Sequence, residues 1–223
     1  MFETTPVTAD NISPVHYGPV STMDELCDFS PLKLELKDQL QAVIERLQST
    51  LRGLDEEDRC LLNEFASIGA EISAAESLAA TFYMRCYLSS YTDKYWDITQ
   101  AAQNLSKRRH GALIVVQRED PLDQLITPGI PIGATLTHAL LESVFIAGGP
   151  LHDGAVLVHG NKIVSAANVL PLTAIVTEKK LGTRHRAAIG LTERSDALVI
   201  VVSEETGKAS FSMTGNLYAF ALS

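Results

Sequence analysis

Apolar residues recur at helical spacing through the first third of the chain. Between Ser30 and Gly53 they share one face of a helix, at Leu36, Leu40, Val43, Ile44, Leu47 and Leu51. A second set with the same period starts at Leu61 and continues to about Leu88. Two consecutive amphipathic helices with a short break between them predict a helical hairpin over residues 30–90.

From residue 92 onward, uniform apolar runs alternate with helical segments. The runs predict strands at residues 112–116, 155–170, 197–203, 208–213 and 216–222, and Gly160-Asn161 divides the second run into a hairpin. Helices are predicted at residues 92–110, 134–147 and, in part, 178–191, whereas the Pro- and Gly-rich residues 126–133 predict a loop. This mixture indicates an α/β (α+β) fold with a mixed central sheet flanked by helices.

The end of the helix predicted over residues 92–110 carries the cationic run Lys107, Arg108, Arg109 and His110, followed by Gly111. Cations in the last turn and a glycine just past it are typical of a helix end. We therefore expect Gly111 to stop this helix and the basic run to match the helix dipole.

Changes of composition divide the chain into three regions. Residues 1–29 are rich in Thr, Pro and Asp without a clear period, which predicts an extended lead-in. Residues 30–90 form the predicted helical region, and residues 91–223 form a predicted mixed domain. The boundary between these two is expected near residues 90–100.

Composition and charge exclude several classes of protein. The 223 residues carry a formal net charge of −9, which argues against a nucleic-acid or anionic-membrane binder. The cysteines Cys27, Cys60 and Cys86 have no disulfide or metal-ligand spacing. The N-terminus lacks the features of a signal peptide, and no stretch reaches the ~18 apolar residues of a membrane span. We expect a soluble cytoplasmic protein.

The first candidate site is His152-Asp153-Gly154-Ala155, at the start of a predicted strand. An aspartate is disfavoured there, and small neighbours permit close approach of a ligand. The carboxylate could then hold a metal or activate a hydroxyl. The alternative is an ordinary Asp-Gly turn, which these four residues alone favour.

The second candidate is Thr183-Arg184-His185-Arg186, a cationic run in an acidic chain. Arginine binds phosphate oxygens in a bidentate manner, and the start of a helix is an unfavourable place for cations without a partner. Because consecutive helical residues point about 100° apart, the three side chains cannot all serve one phosphate. One arginine could instead form a structural ion pair or reach across an interface.

The third candidate, Ser203-Glu204-Glu205-Thr206-Gly207, directly follows a predicted buried strand. Ligands of open α/β sheets bind at the carboxyl ends of strands, where a hydroxyl and carboxylates could complete a phosphate and metal site. An acidic turn closed by Gly207 explains the segment equally well.

Taken together and in this order, the segments resemble the diadenylate cyclase family. The resemblance covers about residues 95–215 and depends on "LHDGAVLV", "VLPLT" and "LGTRHRAAIGLTERSDALVIVVSEETG". With its helical extension, the chain looks most like the soluble, sporulation-type bacillus members. The resemblance implies an enzyme that converts two ATP into cyclic di-AMP and two pyrophosphates, with Mg²⁺ or Mn²⁺ and with two protomers face to face.

The resemblance also implies roles for individual residues. Asp153 would bind the metal and activate the hydroxyl, with His152 as a possible metal neighbour. Gly154 and Ala155 would let the nucleotide approach, Leu170 would pack on adenine, and Thr183 would contact the nucleotide. Arg184, His185 and Arg186 would serve the triphosphate and the interface, and Ser203 and Glu204 would lie near the phosphates.

Two other hypotheses remain at this stage. A nucleotide sensor would hold ATP or cyclic di-AMP without turnover, and an interaction protein would act through its helices. The amphipathic helices must bury their apolar faces against the sheet domain or against other protomers. In the second case we expect a higher homo-oligomer that restrains the cyclase.

Overall fold

The computed structural model describes residues 30–54, 61–174 and 181–221. The predicted lead-in at residues 1–29 lies outside them, as do residues 178–180 of the segment predicted to be partly helical. The described helices are α1 (Ser30–Arg52), α2 (Leu61–Ser89), α3 (Tyr95–Arg108), α4 (His138–Val144) and α5 (Thr183–Thr192). The first two confirm the predicted pair of helices.

The described strands form one seven-stranded sheet. They are β1 (Ala112–Gln117), β2 (Ile130–Thr135), β3 (Ala155–His159), β4 (Lys162–Asn168), β5 (Leu198–Val202), β6 (Ala209–Met213) and β7 (Asn216–Ala219). Their order across the sheet is β2-β4-β3-β1-β5-β6-β7. Only β1 and β3 pair in parallel, and every other pair is antiparallel. The predicted mixed sheet flanked by helices is therefore confirmed.

Each face of the sheet has its own hydrophobic core. On one face, side chains of α2, α3 and α4 pack on alternate residues of the central strands, including Ile114, Val156 and Ile200. On the other face α5 covers the intervening residues, including Val115 and Val199. The central strands β1 and β5 are buried on both faces, which explains their uninterrupted apolar sequences.

The segment between β1 and β3 differs from its prediction. Residues 126–133 were expected to form a loop, but Ile130–Thr135 form β2, an edge strand paired with β4. An edge strand tolerates Pro131, and Gly133 adopts a φ of 65° where the pairing register shifts. The helix predicted over residues 134–147 is limited to α4, because Thr137 caps its start by accepting a hydrogen bond from the Leu140 amide at 3.2 Å.

The end of α3 also differs from its prediction. Arg109, not Gly111, takes the left-handed conformation that ends the helix, with a φ of 53°. The His110 amide then donates to the Leu105 carbonyl at 2.9 Å, which satisfies one of the last helical acceptors. The expectation that Gly111 stops α3 was therefore wrong.

The helical hairpin is attached to the sheet by the second half of α2. Met84 and Leu88 are 1% exposed in the core beneath α3, and the Thr81 hydroxyl accepts a hydrogen bond from the Ala221 amide at 3.0 Å. By contrast, α1 leaves Leu51 69% exposed, and the start of α2 leaves Leu62 79% and Phe65 56% exposed. None of the helices within residues 30–54, 61–174 and 181–221 has the length and hydrophobicity that a membrane span requires.

Candidate active site at one edge of the sheet

The strand pairing brings the three candidate segments to one edge of the sheet, where the central strands begin or end. We call this the site edge. β1 and β3 begin there because they are parallel, and their antiparallel neighbours β4 and β5 end there. In the register Ala112 faces Val202, and Ala155 faces Asn168. Asp153 before β3 and Ser203 after β5 therefore lie at the same edge, and the segment after β5 contacts the start of α5 through Glu204 and Arg184.

Asp153 and Gly154 form the turn that leads into β3. Gly154 has a φ of 105°, and a Cβ there would lie 2.7 Å from the Asn168 carbonyl oxygen, so the fold itself requires a glycine. Asp153 is exposed and has no hydrogen-bond or ion-pair partner among the described residues. The turn interpretation thus explains Gly154, whereas the Asp153 carboxylate is left available to a ligand.

Behind this turn, Ala155 and Leu170 are 0% and 6% exposed in the core beneath α5. Asn168, which the sequence analysis did not single out, holds three segments together. Its side-chain amide donates to the Ala155 carbonyl at 2.8 Å, and its oxygen accepts hydrogen bonds from the Gly129 amide and the Ser165 hydroxyl, both at 2.9 Å. This buried residue fixes the backbone behind Asp153.

The two arginines of α5 contact different segments, as the 100° spacing along a helix predicts. Arg184 Nη1 donates to Glu204 Oε2 at 2.9 Å, which joins α5 to the end of β5. Arg186 is exposed and its Nη2 lies 3.4 Å from the Thr173 carbonyl oxygen. Thr183 is the exposed first residue of the helix. An anion at the helix start would therefore meet Arg184 and Thr183 together.

His185 is half-buried between these two arginines. Burial lowers the pKa of its imidazole, because it disfavours the charged form, and the nearby Glu205 carboxylate only partly opposes this effect. The lowered pKa keeps His185 neutral at pH 7, so the cationic charge at the start of α5 comes from the two arginines.

The segment after β5 is a closed turn. The Gly207 amide donates to the Ser203 carbonyl at 2.8 Å, the Thr206 amide donates to the Ser203 hydroxyl at 3.2 Å, and Gly207 has a φ of 72°. The turn is tied to α3 through Ser106, whose hydroxyl donates to the Gly207 carbonyl. The acidic-turn interpretation describes the backbone, and it leaves Glu204 exposed beside Arg184.

Asp153 and Glu204 are exposed carboxylates at the site edge, a kind of group that divalent cations bind. Among the residues described, no group of three or more His, Cys, Asp or Glu side chains is arranged to hold a metal ion. Mg²⁺ is usually bound by one or two carboxylates together with substrate phosphates, so Asp153 and Glu204 provide suitable groups. His152 donates through Nδ1 to the Gly149 carbonyl, which leaves Nε2 as its only ligand atom.

The rule that ligands bind at the carboxyl ends of strands points to only one of the three candidate segments. That segment follows β5, whereas Asp153 precedes its strand. Both positions meet because β5 runs antiparallel to β1 and β3. Their proximity could not be seen without the strand order.

The middle and end of the chain match a known nucleotide-binding family. Residues 99–217 match the family model DAC, described as DisA bacterial checkpoint controller nucleotide-binding. The chain therefore belongs to the diadenylate cyclase (DAC) domain family, as its resemblance predicted.

The N-terminal region narrows this assignment. Residues 23–91 match the model of the N-terminal domain of the diadenylate cyclase CdaS. The chain is 50% identical to the diadenylate cyclase CdaS of Bacillus thuringiensis over 192 residues, which cover 86% of this chain and 96% of that protein. It is 45% identical to the cyclic di-AMP synthase CdaS of Bacillus subtilis, over 82% of this chain and 90% of the relative.

Solved structures show the same fold. A Bacillus cereus protein described as a hypothetical membrane-spanning protein superposes with a TM-score of 0.74 at 50% identity, covering 86% of this chain and 95% of that one. A double mutant of DacA from Staphylococcus aureus superposes with a TM-score of 0.54 at 45% identity, over 56% of this chain and 85% of its own.

Proposed function

We propose that this protein condenses two ATP molecules into cyclic di-AMP and two pyrophosphates. The observation that carries the proposal is that an unpartnered carboxylate, Asp153, lies at the same sheet edge as the Arg184–Glu204 pair. These residues come from three separate segments of a chain that belongs to the diadenylate cyclase family. Carboxylates and arginines together suit a metal-bound triphosphate.

In the proposed reaction, the 3′-hydroxyl oxygen of each ATP forms a bond to the α-phosphorus of the other. The bond from that phosphorus to the pyrophosphate oxygen breaks, and the hydroxyl proton passes to Asp153 as general base. Two such steps close the ring and release two pyrophosphates. Because Asp153 is exposed at the sheet edge, its carboxylate can face a nucleotide held by a second protomer.

Arg184 and Arg186 would bind the triphosphate and the partner surface, with His185 neutral between them. Thr183 and the first amides of α5 would contact phosphate oxygens, since a helix start attracts anions. Ser203 and Glu204 would lie beside the phosphates. Gly154 would border the surface that the nucleoside approaches, and Ala155 and Leu170, buried in the core beneath α5, would support that surface from behind.

A divalent cation, Mg²⁺ or Mn²⁺, would be held by Asp153, by the phosphates and by Glu204 or His152. When bound, it would neutralise the charge on the triphosphate and on the departing pyrophosphate. The protein supplies the oriented carboxylates and arginines around it.

The product has twofold symmetry, so we propose that two protomers meet about a twofold axis with their site edges face to face. Each protomer would hold one ATP, and an isolated protomer would be inactive. The homodimer is thus part of the active site.

The decisive experiment is product analysis by mass spectrometry with purified protein, ATP and either Mg²⁺ or Mn²⁺. We expect cyclic di-AMP and pyrophosphate in a 1:2 ratio from the wild type and at most a trace from Asp153→Asn. The same assay with GTP measures nucleobase specificity. Unchanged ATP in the presence of tight ATP binding would favour the sensor hypothesis instead.

We further propose that the helical hairpin restrains the cyclase by holding protomers in a higher oligomer. The support is an apolar surface on α1 and the start of α2, formed by Leu40, Ile44, Leu47, Leu51, Leu62 and Phe65, all exposed. Replacing Ile44 and Phe65 with aspartate should lower the mass measured by light scattering and raise specific activity. Unchanged mass and activity in this variant would contradict the proposal.

A further inference from the structure

Gly111 lies directly against the guanidinium of Arg184. A Cβ built on Gly111 would lie 2.6 Å from Arg184 Cζ and 3.1 Å from Nη2, and closer still to Nη1. Real Cβ atoms essentially never come within 3.0 Å of another heavy atom, so the contacts with Cζ and Nη1 are forbidden. Any side chain at position 111 therefore excludes the observed position of this guanidinium.

The backbone does not explain a glycine at this position. The left-handed residue that ends α3 is Arg109, two residues earlier. Gly111 itself has no positive φ, so an L-residue could adopt its conformation. The reason for a glycine at position 111 is therefore the space that it leaves for the Arg184 guanidinium.

This space is fixed relative to the rest of the site edge. Gly111 precedes Ala112, which pairs with Val202 at the end of β5, and Glu204 follows two residues later. Arg184 Nη1, the atom nearest to Gly111, is also the atom that donates to Glu204. The start of β1 and the turn after β5 thus hold one guanidinium between them, and its side chain is 26% exposed.

We propose that Gly111 is a positioning residue for the cyclase reaction. Because Gly111 has no side chain, the Arg184 guanidinium can lie in the position from which it binds the triphosphate. This inference rests on the proposed function. Gly111 acts only through Arg184 and contacts neither nucleotide nor metal. Because the obstructed atoms form the flexible end of a side chain, a methyl group at position 111 moves Arg184 and leaves the backbone in place.

The test is a double-mutant cycle in the full-length protein, with Gly111→Ala, Arg184→Ala and the double variant. The readouts are kcat and KM for cyclic di-AMP formation and the calorimetric Kd of a non-hydrolysable ATP analogue. We expect Gly111→Ala to weaken ATP binding and kcat/KM by about tenfold or more, because small misplacements of positioning groups are costly. In the Arg184→Ala background, the same substitution should have no further effect.

The control is Gly69→Ala on α2, where an added Cβ would meet nothing within 4 Å. It should keep wild-type kinetics, and Gly111→Ala should keep the wild-type thermal midpoint. A crystal structure of Gly111→Ala should show the guanidinium displaced from Glu204. Wild-type kinetics in Gly111→Ala, a further loss on the Arg184→Ala background, or an unmoved guanidinium would each overturn the proposal.

These readouts separate the inference from the proposed function. If the wild type makes no cyclic di-AMP, the proposed function fails. Even then, the affinities for the ATP analogue and the position of Arg184 in the variant structure show whether Gly111 positions the guanidinium.

Discussion

Polar side chains at the two ends of the central strands differ in how they are bonded. One end is the site edge, and we call the other end the opposite edge. At the site edge Asp153 has no partner among the described residues, and Arg184 and Glu204 form a partly exposed pair. At the opposite edge polar groups bond one another. The Arg118 guanidinium lies 4.6 Å from the Tyr91 ring, and it donates to the Tyr91 hydroxyl at 3.0 Å and to the Asp196 carbonyl at 3.1 Å.

Further hydrogen bonds close the opposite edge. The Asp196 carboxylate accepts hydrogen bonds from the amides of Glu119 and Asp120, at 3.0 and 3.1 Å. Asn161, in the turn between β3 and β4, accepts from the Thr92 hydroxyl at 2.9 Å and from the Asp93 amide at 3.0 Å. Polar side chains at this edge stabilise the fold, whereas the exposed charged side chains at the site edge are available for binding. Substitutions at the two edges should therefore have separable effects.

The largest effect is expected at Asp153. Asp153→Asn removes the proposed general base and metal ligand, so kcat should fall by at least ~100-fold. Because the carboxylate is exposed and unpartnered, the thermal midpoint should match that of the wild type. Asp38→Asn, at an exposed carboxylate on α1, serves as the control. A large loss of stability in Asp153→Asn would show instead that the Asp153 carboxylate stabilises the fold, as the polar side chains at the opposite edge do.

The second effect is expected at Asp196. Asp196→Ala leaves two backbone amides without their acceptor and should reduce the free energy of unfolding by about 1–2 kcal/mol. Activity per folded molecule should stay unchanged. Urea unfolding and kinetics measure the two quantities, and Asp123→Ala, at an exposed carboxylate in the loop after β1, is the control. If activity fell more steeply than stability, the two edges would not be independent.

A pH-dependent effect is expected at His185. Burial lowers its pKa below the ordinary 6.5, so the unfolded chain binds a proton before the folded protein does. Stability should therefore fall as the pH drops from ~6.5 towards the lowered pKa, and it should be fully present above the ordinary value. Urea unfolding of the wild type and of His185→Gln at pH ~7.5 and ~5.5 measures the difference.

In His185→Gln this part of the pH dependence should disappear. The same substitution at His159, which is exposed at the far end of β3, should preserve it. A wild type that gains stability relative to His185→Gln on acidification would refute the burial effect.

The smallest effect is expected for the Arg184–Glu204 pair. Since Glu204 is 61% exposed, a double-mutant cycle with Arg184→Ala and Glu204→Ala should give a coupling in stability below about 1 kcal/mol. The coupling in ATP affinity should be larger, because the pair directs the guanidinium. A stability coupling of several kcal/mol would show that the site edge also holds the fold together.

Regular patterns predicted most of the fold. The helical period identified α1 and α2, and the uniform apolar runs identified β1, β3 and β5, because these elements bury continuous or periodic surfaces. β2 was missed, since Pro131 and Gly133 are breakers inside a sheet but are acceptable on an edge strand. Local sequence signals thus missed β2, because the formation of this strand depends on its position at the edge of the sheet.

The candidate site was predictable in parts but not as a unit. Asp153 and Glu204 could be singled out as charges beside apolar runs, and Arg184 as part of a cationic run in an acidic chain. The role of Gly111 depends on a contact with a helix far along the chain, and its position after a basic helix end suggested a helix stop instead. Likewise, the bonds of Asn168 join three segments that only the sheet brings together.

The central place of β5 has a consequence for how the protein is made. β5 pairs directly with β1, although β2, β3, β4 and α5 all lie between them in the chain. A growing chain can complete the β3–β4 hairpin early, but β1 lacks one neighbour until β5 has emerged. Pairings between distant segments form slowly, so the ability to bind nucleotide should arise late in folding. An incomplete chain would then carry Asp153 without the Arg184–Glu204 pair, and would be unable to consume ATP.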